Sequence, residues 1–261
     1  MRRQLDPLLA GRTIVAASAH PSAKFATATA ALGHRVGPVR RRGKYLLADL
    51  VAIDDGARRE LVVHLGMTGR LRPGVGPDRP YVRAWWGLDD GSHLAYGDVR
   101  RFGRTLVVAA GDHTALPTLH TLGPEPLGDD FTAERLWRSL RRSDVAVKTQ
   151  LLGQRVVAGV GNIYADEALW QAGINPVSRR VGPRRAAALH GAIRAVLADA
   201  IAHGGTTVRD YRAVDGASGG FQDRLACYGR AGRPCGRCGT VLARRLVGAR
   251  GTTWCPSCQA R

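Results

Sequence analysis

Four cysteines near the end of the sequence have the spacing of a metal site. They form two pairs, Cys235-x-x-Cys238 and Cys255-x-x-Cys258, and sixteen residues separate the pairs. This spacing is typical of a four-thiolate zinc site, in which each pair lies in a tight turn and the sulfurs converge on one tetrahedral ion. Four thiolates leave no open coordination position, so we expect one structural Zn²⁺. The fifth cysteine, Cys227, lies outside the pattern, and we interpret it as a small buried hydrophobe.

A glycine-rich turn precedes a predicted helix in residues 156–176, VVAGVGNIYADEALWQAGINP. Its glycines let backbone N–H groups face an anion, and the N-terminus of the helix adds its dipole. Asn162 can donate a side-chain hydrogen bond to the same anion. Taken alone, the turn is better explained as an ordinary tight connection into a helix.

The charge of the chain predicts a polyanionic partner. Lys plus Arg number 39 against 21 Asp plus Glu, which gives a net charge of +18, and nearly all the cations are arginine. A GC-rich coding bias accounts for arginine in place of lysine but not for the net excess. Nucleic acid is therefore the favoured partner class. Arg244, Arg245 and Arg250 lie between the cysteine pairs and make that segment suited to phosphates.

Hydropathy indicates no membrane partner. No apolar run reaches the roughly 18 residues of a membrane span, and the opening MRRQLDPLLAGRT has neither a continuous apolar core nor a small-residue cleavage site. We therefore expect no signal peptide, a monomeric protein, and a cytoplasmic, nucleoid-associated location.

The pattern along the chain predicts an α+β protein with four parts. Residues 1–115 are strand-rich, with β-favouring runs RTIVAAS, KYLLADL, ELVVHLGM and RTLVVAA, and indicate an antiparallel sandwich or barrel. Residues 116–130 are expected to be a linker, and residues 131–222 a helical domain. Residues 223–261 form the predicted zinc finger.

Helical periodicity predicts helices over 133–152, over 163–172, and from about Pro183 to Gly204. Residues 215–220, DGASGG, are too rich in glycine for a regular element and are expected to form a mobile loop.

Several segments together resemble formamidopyrimidine-DNA glycosylase and its endonuclease VIII relatives. They are RRRGKYLL, HLGMTGRL, VRRFG, LGPEPLGDDF, GVGNIYADE, GGTTVRDY, YGRAGRPC and the terminal cysteine pairs, all in the family's order along nearly the whole chain. The resemblance implies a β-sandwich, a helix–two-turn–helix domain and a C-terminal zinc finger.

The resemblance also implies base-excision repair of damaged duplex DNA, with excision of oxidised purines and β,δ-elimination at the abasic site. Flipping a base out of the duplex costs a few kcal/mol and leaves a gap that wedge side chains must fill. Met67, Arg100 and Phe102 match the void-filling residues, and Arg100 would hydrogen-bond the orphaned base. Each of them alone is also explained by core packing or by a solvated charge.

The resemblance assigns further site residues. Lys44 matches the hairpin lysine that reaches the lesion phosphate or sugar; its alternative interpretation is one more solvated cation beside Arg40 to Arg42. Asn162 and Arg250 match phosphate clamps. Arg209 and the loop from Tyr211 to Phe221 match the region that closes over the damaged base, and the full length of this loop favours the formamidopyrimidine branch.

The family's N-terminal proline nucleophile and its glutamate have no match in the sequence. Pro7 lies inside the chain, where its nitrogen is an amide without a basic lone pair, and Asp6 does not match the glutamate. Two hypotheses follow: the first codon of this sequence is an internal codon of an active bifunctional glycosylase, or the protein is a catalytically disabled paralogue that binds damaged DNA. A zinc-ribbon transcription or RNA-binding factor would fit the charge and the cysteines but not the wedge motifs.

Overall fold

Antiparallel strands dominate the first hundred residues. In the computed structural model, which describes residues 1–207 and 213–260, they form two four-stranded sheets with strand orders β1-β6-β7-β5 and β2-β3-β4-β8. The strands are β1 (Ile14–Ala19), β2 (His34–Arg42), β3 (Tyr45–Ala52), β4 (Arg58–His64), β5 (Arg70–Pro73), β6 (Val82–Leu88), β7 (His93–Gly97) and β8 (Arg104–Ala109).

The two sheets enclose one hydrophobic core, so the layered β-sandwich is confirmed. Both sheets contribute buried side chains to it, including Leu50 and Trp86, and helix α1 (Arg2–Leu9) adds Leu5 and Leu9. The indole N–H of Trp86 donates to the carbonyl of Ala28 at 3.0 Å, which satisfies its polar atom inside the core.

The sequence pattern predicts four of these strands and misses the others. It identifies β1, β3, β4 and β8, whose apolar runs are continuous. It misses strand β2 because Gly37 and Pro38 interrupt the strand and arginines end it, and the structure accommodates them with a register shift between Val36 and Val39.

The segment that follows strand β8 is helical. They are α2 (Pro117–His120), α3 (Ala133–Leu140), α4 (Val147–Leu152), α5 (Asn162–Gln171) and α6 (Pro183–Ala202). A second core forms among α3 to α6, with Leu136, Leu151, Leu169 and Leu189 fully buried. None of the helices in the described part of the chain combines the length and apolarity needed to cross a membrane.

The predicted helix over 133–152 is divided in two. Helix α3 ends at Leu140 and α4 begins at Val147. The side-chain amide of Gln150 donates to the carbonyls of Ser143 and Val145, at 3.1 and 3.0 Å, and these bonds stabilise the non-helical connection.

The chain divides into two compact units, Met1–His120 with Thr207–Gly219, and Thr121–Thr206 with Gly220–Arg261. The first contains both sheets and the second contains helices α3 to α6 and the terminal hairpin of β9 (Ala243–Val247) and β10 (Arg250–Trp254). Residues 215–219 of the predicted mobile loop belong to the sheet unit, and Val214, just before the loop, packs on the sandwich core.

Candidate nucleic-acid interface and metal centre

Two loops of the sheet unit carry the predicted wedge residues. Met67 lies between β4 and β5, and Arg100 and Phe102 lie between β7 and β8. Met67 is 55% exposed and Phe102 is 49% exposed, so neither belongs to the core. The guanidinium carbon of Arg100 lies 4.5 Å from the centroid of the Phe102 ring, a cation–π geometry that aligns the two side chains.

The two loops touch through glycines. Gly66, which precedes Met67, has φ +62°, and a Cβ on it would meet the Gly103 nitrogen at 2.5 Å. A Cβ on Gly103, which follows Phe102, would meet the Tyr96 hydroxyl at 1.9 Å. Only glycine permits this approach, and it brings the Met67 and Phe102 segments together.

Lys44 occupies the β2–β3 turn beside an aromatic cluster. Tyr45 is buried, and its ring lies 4.7 Å from the imidazole of His64. Burial lowers the pKa of His64 to about 4, and the positive charges of Lys44 and Arg104 contribute to this shift. The Gly66 N–H donates to Nδ1 at 3.2 Å, which leaves the proton of the neutral ring on Nε2.

The predicted capping loop is only partly described. Arg209 and Tyr211 lie outside the described residues. Within residues 213–219, the side-chain amide of Gln4 forms two bonds: it donates to Asp215 Oδ2 at 2.9 Å and accepts from the Val214 N–H at 3.2 Å. Helix α1 therefore anchors the described part of this loop.

In the helical unit, Asn162 lies next to the strand that begins with Arg250. The sequence predicts that both residues bind phosphate. Asn162 is the first residue of α5, where the backbone N–H groups of the first turn have no partner within the helix. Its Nδ2 donates to the carbonyl of Gly251 at 3.0 Å, which fixes it next to Arg250 at the start of β10. A helix N-terminus next to a strand that begins with an arginine is suited to bind a phosphate.

A buried ion pair underlies this arrangement. Lys148 on α4 has its Nζ 2.6 Å from Asp166 Oδ1 on α5, and it also donates to Thr252 Oγ1 at 2.7 Å and to the carbonyl of Gly251 at 3.1 Å. Asp166 Oδ2 accepts from the Thr253 N–H at 3.0 Å. Burial lowers the pKa of Lys148 and raises that of Asp166 to about 6, while their mutual attraction opposes both shifts.

A second carboxylate joins α5 to the zinc segment. Glu167 is buried and accepts backbone N–H groups from Ala226, Cys227 and Tyr228 at 2.7 to 3.0 Å. Three donors on one carboxylate fix the chain where it enters the finger.

The four predicted ligands converge. The sulfurs of Cys235, Cys238, Cys255 and Cys258 all lie within 4.8 Å of one another. Tetrahedral zinc with bonds of about 2.3 Å needs sulfurs roughly 3.8 Å apart, so the set fits one ion. The Trp170 indole N–H donates to Cys235 Sγ at 3.4 Å, and the Cys258 N–H donates to Cys255 Sγ at 3.3 Å, as thiolate ligands require.

Cys227 takes no part in this set. Its buried thiol donates to the Thr253 carbonyl at 3.1 Å. Burial raises its pKa, which keeps it protonated.

Three family models match successive parts of the chain. Residues 1–105 match the formamidopyrimidine-DNA glycosylase N-terminal domain, residues 122–212 match the formamidopyrimidine-DNA glycosylase H2TH domain, and residues 232–261 match the zinc finger found in FPG and IleRS. The chain belongs to the formamidopyrimidine-DNA glycosylase family. The helix–two-turn–helix domain and the zinc finger predicted from the sequence are thereby confirmed, and the finger's match with the four converging sulfurs supports one structural Zn²⁺.

Individual members of the glycosylase family are similar to this chain over nearly its whole length. The chain is 44% identical to the formamidopyrimidine-DNA glycosylase of Deinococcus radiodurans over 99% of its own length and 94% of the relative's. The crystal structure of the MutM (Fpg) protein from Thermus thermophilus matches with a TM-score of 0.90 and 45% identity, covering 100% of this chain and 96% of that one. A MutM in complex with carbocyclic 8-oxo-G containing DNA matches with a TM-score of 0.87 and 32% identity, covering 100% and 97%.

Sequence reasoning missed three groups in this family member. His64 is the first residue of the HLGMTGRL motif, but only the structure places it against Tyr45 and the Met67 loop. Asp98 looks like a turn residue beside Arg100, and Lys148 looks like one cation among many. The available signal for Lys148 was weak: it is one of only three lysines in an arginine-rich chain.

Proposed function

We propose that this protein is a base-excision repair DNA glycosylase with abasic-site lyase activity, acting on oxidised purines such as 8-oxoguanine and formamidopyrimidines in duplex DNA. The observation that carries the proposal is the pair of exposed apolar side chains, Met67 and Phe102, with Arg100 stacked on Phe102, in a chain of this family. Exposed apolar side chains on rigid loops are suited to enter a base stack.

The wedge supplies lesion capture. When the damaged base leaves the stack, Met67 and Phe102 fill the gap with apolar surface, which offsets part of the lost stacking. Arg100 presents several N–H donors and no acceptor, so it can bind the acceptor edge of the orphaned base, typically cytosine.

Phosphate contacts supply affinity. Asn162 and Arg250, held side by side through Gly251, grip the backbone next to the lesion. Lys44 reaches the lesion phosphate or sugar from the β2–β3 turn, and the neutral His64 can donate from Nε2. Arg209 and the capping loop are proposed to close over the damaged base.

The chemistry requires an amine that attacks the sugar C1′ and displaces the base. The resulting Schiff base then loses the 3′ and 5′ phosphates by β,δ-elimination. Residues 1–261 hold no match to the family's N-terminal proline and glutamate, so no residue of this sequence is assigned as the activated amine. A genomic substrate implies a cytoplasmic, nucleoid-associated location.

Borohydride trapping on an 8-oxoguanine duplex tests this proposal. The 261-residue chain and a form extended by a Pro-Glu N-terminal segment are compared for excision and for covalent trapping. We expect the extended form to excise and trap faster by orders of magnitude, since both assays need the activated amine. Equal trapping by both forms would show that another amine, with Lys44 the first candidate, does the work.

One alternative has its own supporting observation. The absence of a Pro-Glu match within the sequence also fits a catalytically disabled paralogue that binds damaged DNA. Genomic codons immediately upstream that do not encode Pro-Glu in frame, together with lesion-specific binding and no excision, would establish that alternative.

A further inference from the structure

Asp98 lies at the centre of the two wedge loops and is fully buried. Its Oδ1 accepts a hydrogen bond from the Thr68 hydroxyl, one residue after Met67. Its Oδ2 accepts from the Gly103 N–H at 2.8 Å, one residue after Phe102. The two oxygens of a single carboxylate thus bind the two loops separately.

Further bonds close the network around Asp98. The Arg100 N–H donates to Thr68 Oγ1 at 3.3 Å, so the hydroxyl that binds Asp98 also binds the wedge arginine. The Tyr96 hydroxyl lies 3.2 Å from Asp98 Oδ2 and within 3.4 Å of the carbonyls of His64 and Leu65, at the base of the Met67 loop. Both loops are therefore bonded to the same buried side chain, that of Asp98.

The Phe102 loop is also fixed from its outer side. Arg101 has φ +54°, a left-handed conformation that is unfavourable for a residue with a side chain. Its carbonyl accepts from Lys24 Nζ at 2.8 Å, and the Thr105 N–H donates to the Lys24 carbonyl at 2.9 Å. Strained backbone persists only where its surroundings hold it, and Asp98 supplies the buried part of that support.

We propose that Asp98 is a positioning residue that assembles the Met67 and Arg100–Phe102 loops into one rigid wedge before DNA binds. The inference rests on the proposed function. The physical basis of this role is preorganisation: loop residues that are ordered before binding lose no further conformational entropy when they enter the duplex. Asp98 therefore raises the affinity for the lesion without contacting the DNA.

Asp98→Asn and Thr68→Val are the informative variants. An amide places an acceptor oxygen on one side only, so either Thr68 or the Gly103 N–H would face an N–H₂ donor in place of a carboxylate oxygen. Valine keeps the shape of Thr68 and removes the hydroxyl. Thr68→Ser retains the hydroxyl and serves as the rescue variant. Thr114→Val breaks an exposed threonine–aspartate pair in the same unit, Thr114 Oγ1 to Asp112 Oδ1 at 2.6 Å, and serves as the matched control.

The measurement is the ratio of two dissociation constants, which needs no catalysis. One duplex carries a tetrahydrofuran abasic analogue opposite cytosine, and the other has the same sequence without damage. We expect Asp98→Asn and Thr68→Val to lower the lesion preference by about tenfold, because loop residues must then be ordered on binding. Their affinity for intact duplex should stay within about twofold, since phosphate contacts dominate it. Thr68→Ser and Thr114→Val should keep the wild-type ratio.

Two results would overturn the inference. One is an unchanged ratio in both Asp98→Asn and Thr68→Val. The other is a parallel loss of both affinities together with a lower unfolding temperature, which would give Asp98 a purely structural role. A wild-type protein without any lesion preference would instead overturn the proposed function itself, so the two failures are distinguishable.

Discussion

Lys148 and Asp166 form an ion pair in which Nζ lies 2.6 Å from Oδ1 and neither side chain is more than 1% exposed. Such pairs are costly to desolvate, and good geometry with additional hydrogen bonds is needed to offset that cost. Here the same Nζ and the same carboxylate bind the backbone or side chains of Gly251, Thr252 and Thr253, the residues that directly follow Arg250. The pair thus fixes the strand that presents the predicted phosphate clamp.

Breaking this pair should destabilise the helical unit strongly. Lys148→Met leaves Asp166 buried without its counter-charge, and we expect a loss of about 3–5 kcal/mol in the free energy of unfolding. The double variant Lys148→Met/Asp166→Asn removes the charge imbalance and should recover a large part of that loss. Denaturant unfolding measures both.

The exposed pair of Arg180 and Asp144, at 2.7 Å with 74% and 70% of the two side chains exposed, provides the matched control. Arg180→Met should cost at most about 1 kcal/mol. If Lys148→Met costs no more than Arg180→Met, the buried pair does not have the structural role described above.

The zinc centre should bind one ion per chain and depend on each thiolate. Cys255→Ser should lose most of the bound zinc, because the remaining three thiolates no longer close the tetrahedral shell. DNA affinity should fall with it, since the β9–β10 hairpin carries Arg250. Elemental analysis and duplex binding are the measurements.

Cys227→Ala is the control for the zinc prediction, because Cys227 is buried nearby but its sulfur bonds the Thr253 carbonyl. It should retain stoichiometric zinc. Zinc content unaffected by Cys255→Ser would rule out the four-thiolate site.

Stability should depend on pH through His64. Its pKa is about 4 in the folded protein and about 6.5 when unfolded, so the unfolded chain binds the additional proton between these values. The free energy of unfolding should therefore be fully retained above pH 6.5 and decrease as pH falls towards 4, by about 2–3 kcal/mol from this group. His64→Gln, which can still accept from the Gly66 N–H, should show a shallower decrease. Identical pH profiles would exclude this role of His64.

The sequence predicted those parts of the site whose geometry is local. Cys-x-x-Cys pairs impose a turn wherever they occur. Met67 and Phe102 stand in short motifs and are exposed, and their role as wedge residues stays a prediction. The roles of Lys148 and Asp98 could not be predicted from the sequence, because they depend on partners distant along the chain. Lys148 donates to Thr252, 104 residues away, and Asp98 accepts from Thr68, 30 residues away. Strand β6 was missed because Arg83 and Gly87 interrupt its apolar run, and its pairing with β1 and β7 appears only in the folded sheet.

Substitutions in the phosphate clamp and in the wedge should have different effects on DNA binding. Arg250→Ala removes one phosphate contact, so it should weaken binding to lesion-containing and intact duplexes alike and reduce the magnitude of the log–log salt slope by about 0.9. Met67→Ala removes apolar surface that meets DNA only after a base has left the stack. It should therefore weaken binding to a tetrahydrofuran duplex by roughly tenfold and leave intact-duplex affinity and the salt slope unchanged.

Each variant is the control for the other. Arg250→Ala should leave the preference for the lesion duplex unchanged, and Met67→Ala should leave the salt slope unchanged. Affinities measured from about 50 to about 200 mM salt on both duplexes give all the required slopes. Equal losses on both duplexes for both variants would contradict the division of labour: Met67 would then act as a general contact, and the exposed apolar pair would need another explanation. A salt slope unchanged by Arg250→Ala would likewise remove Arg250 from the phosphate clamp and leave Asn162 and the N-terminus of α5 as the anion site.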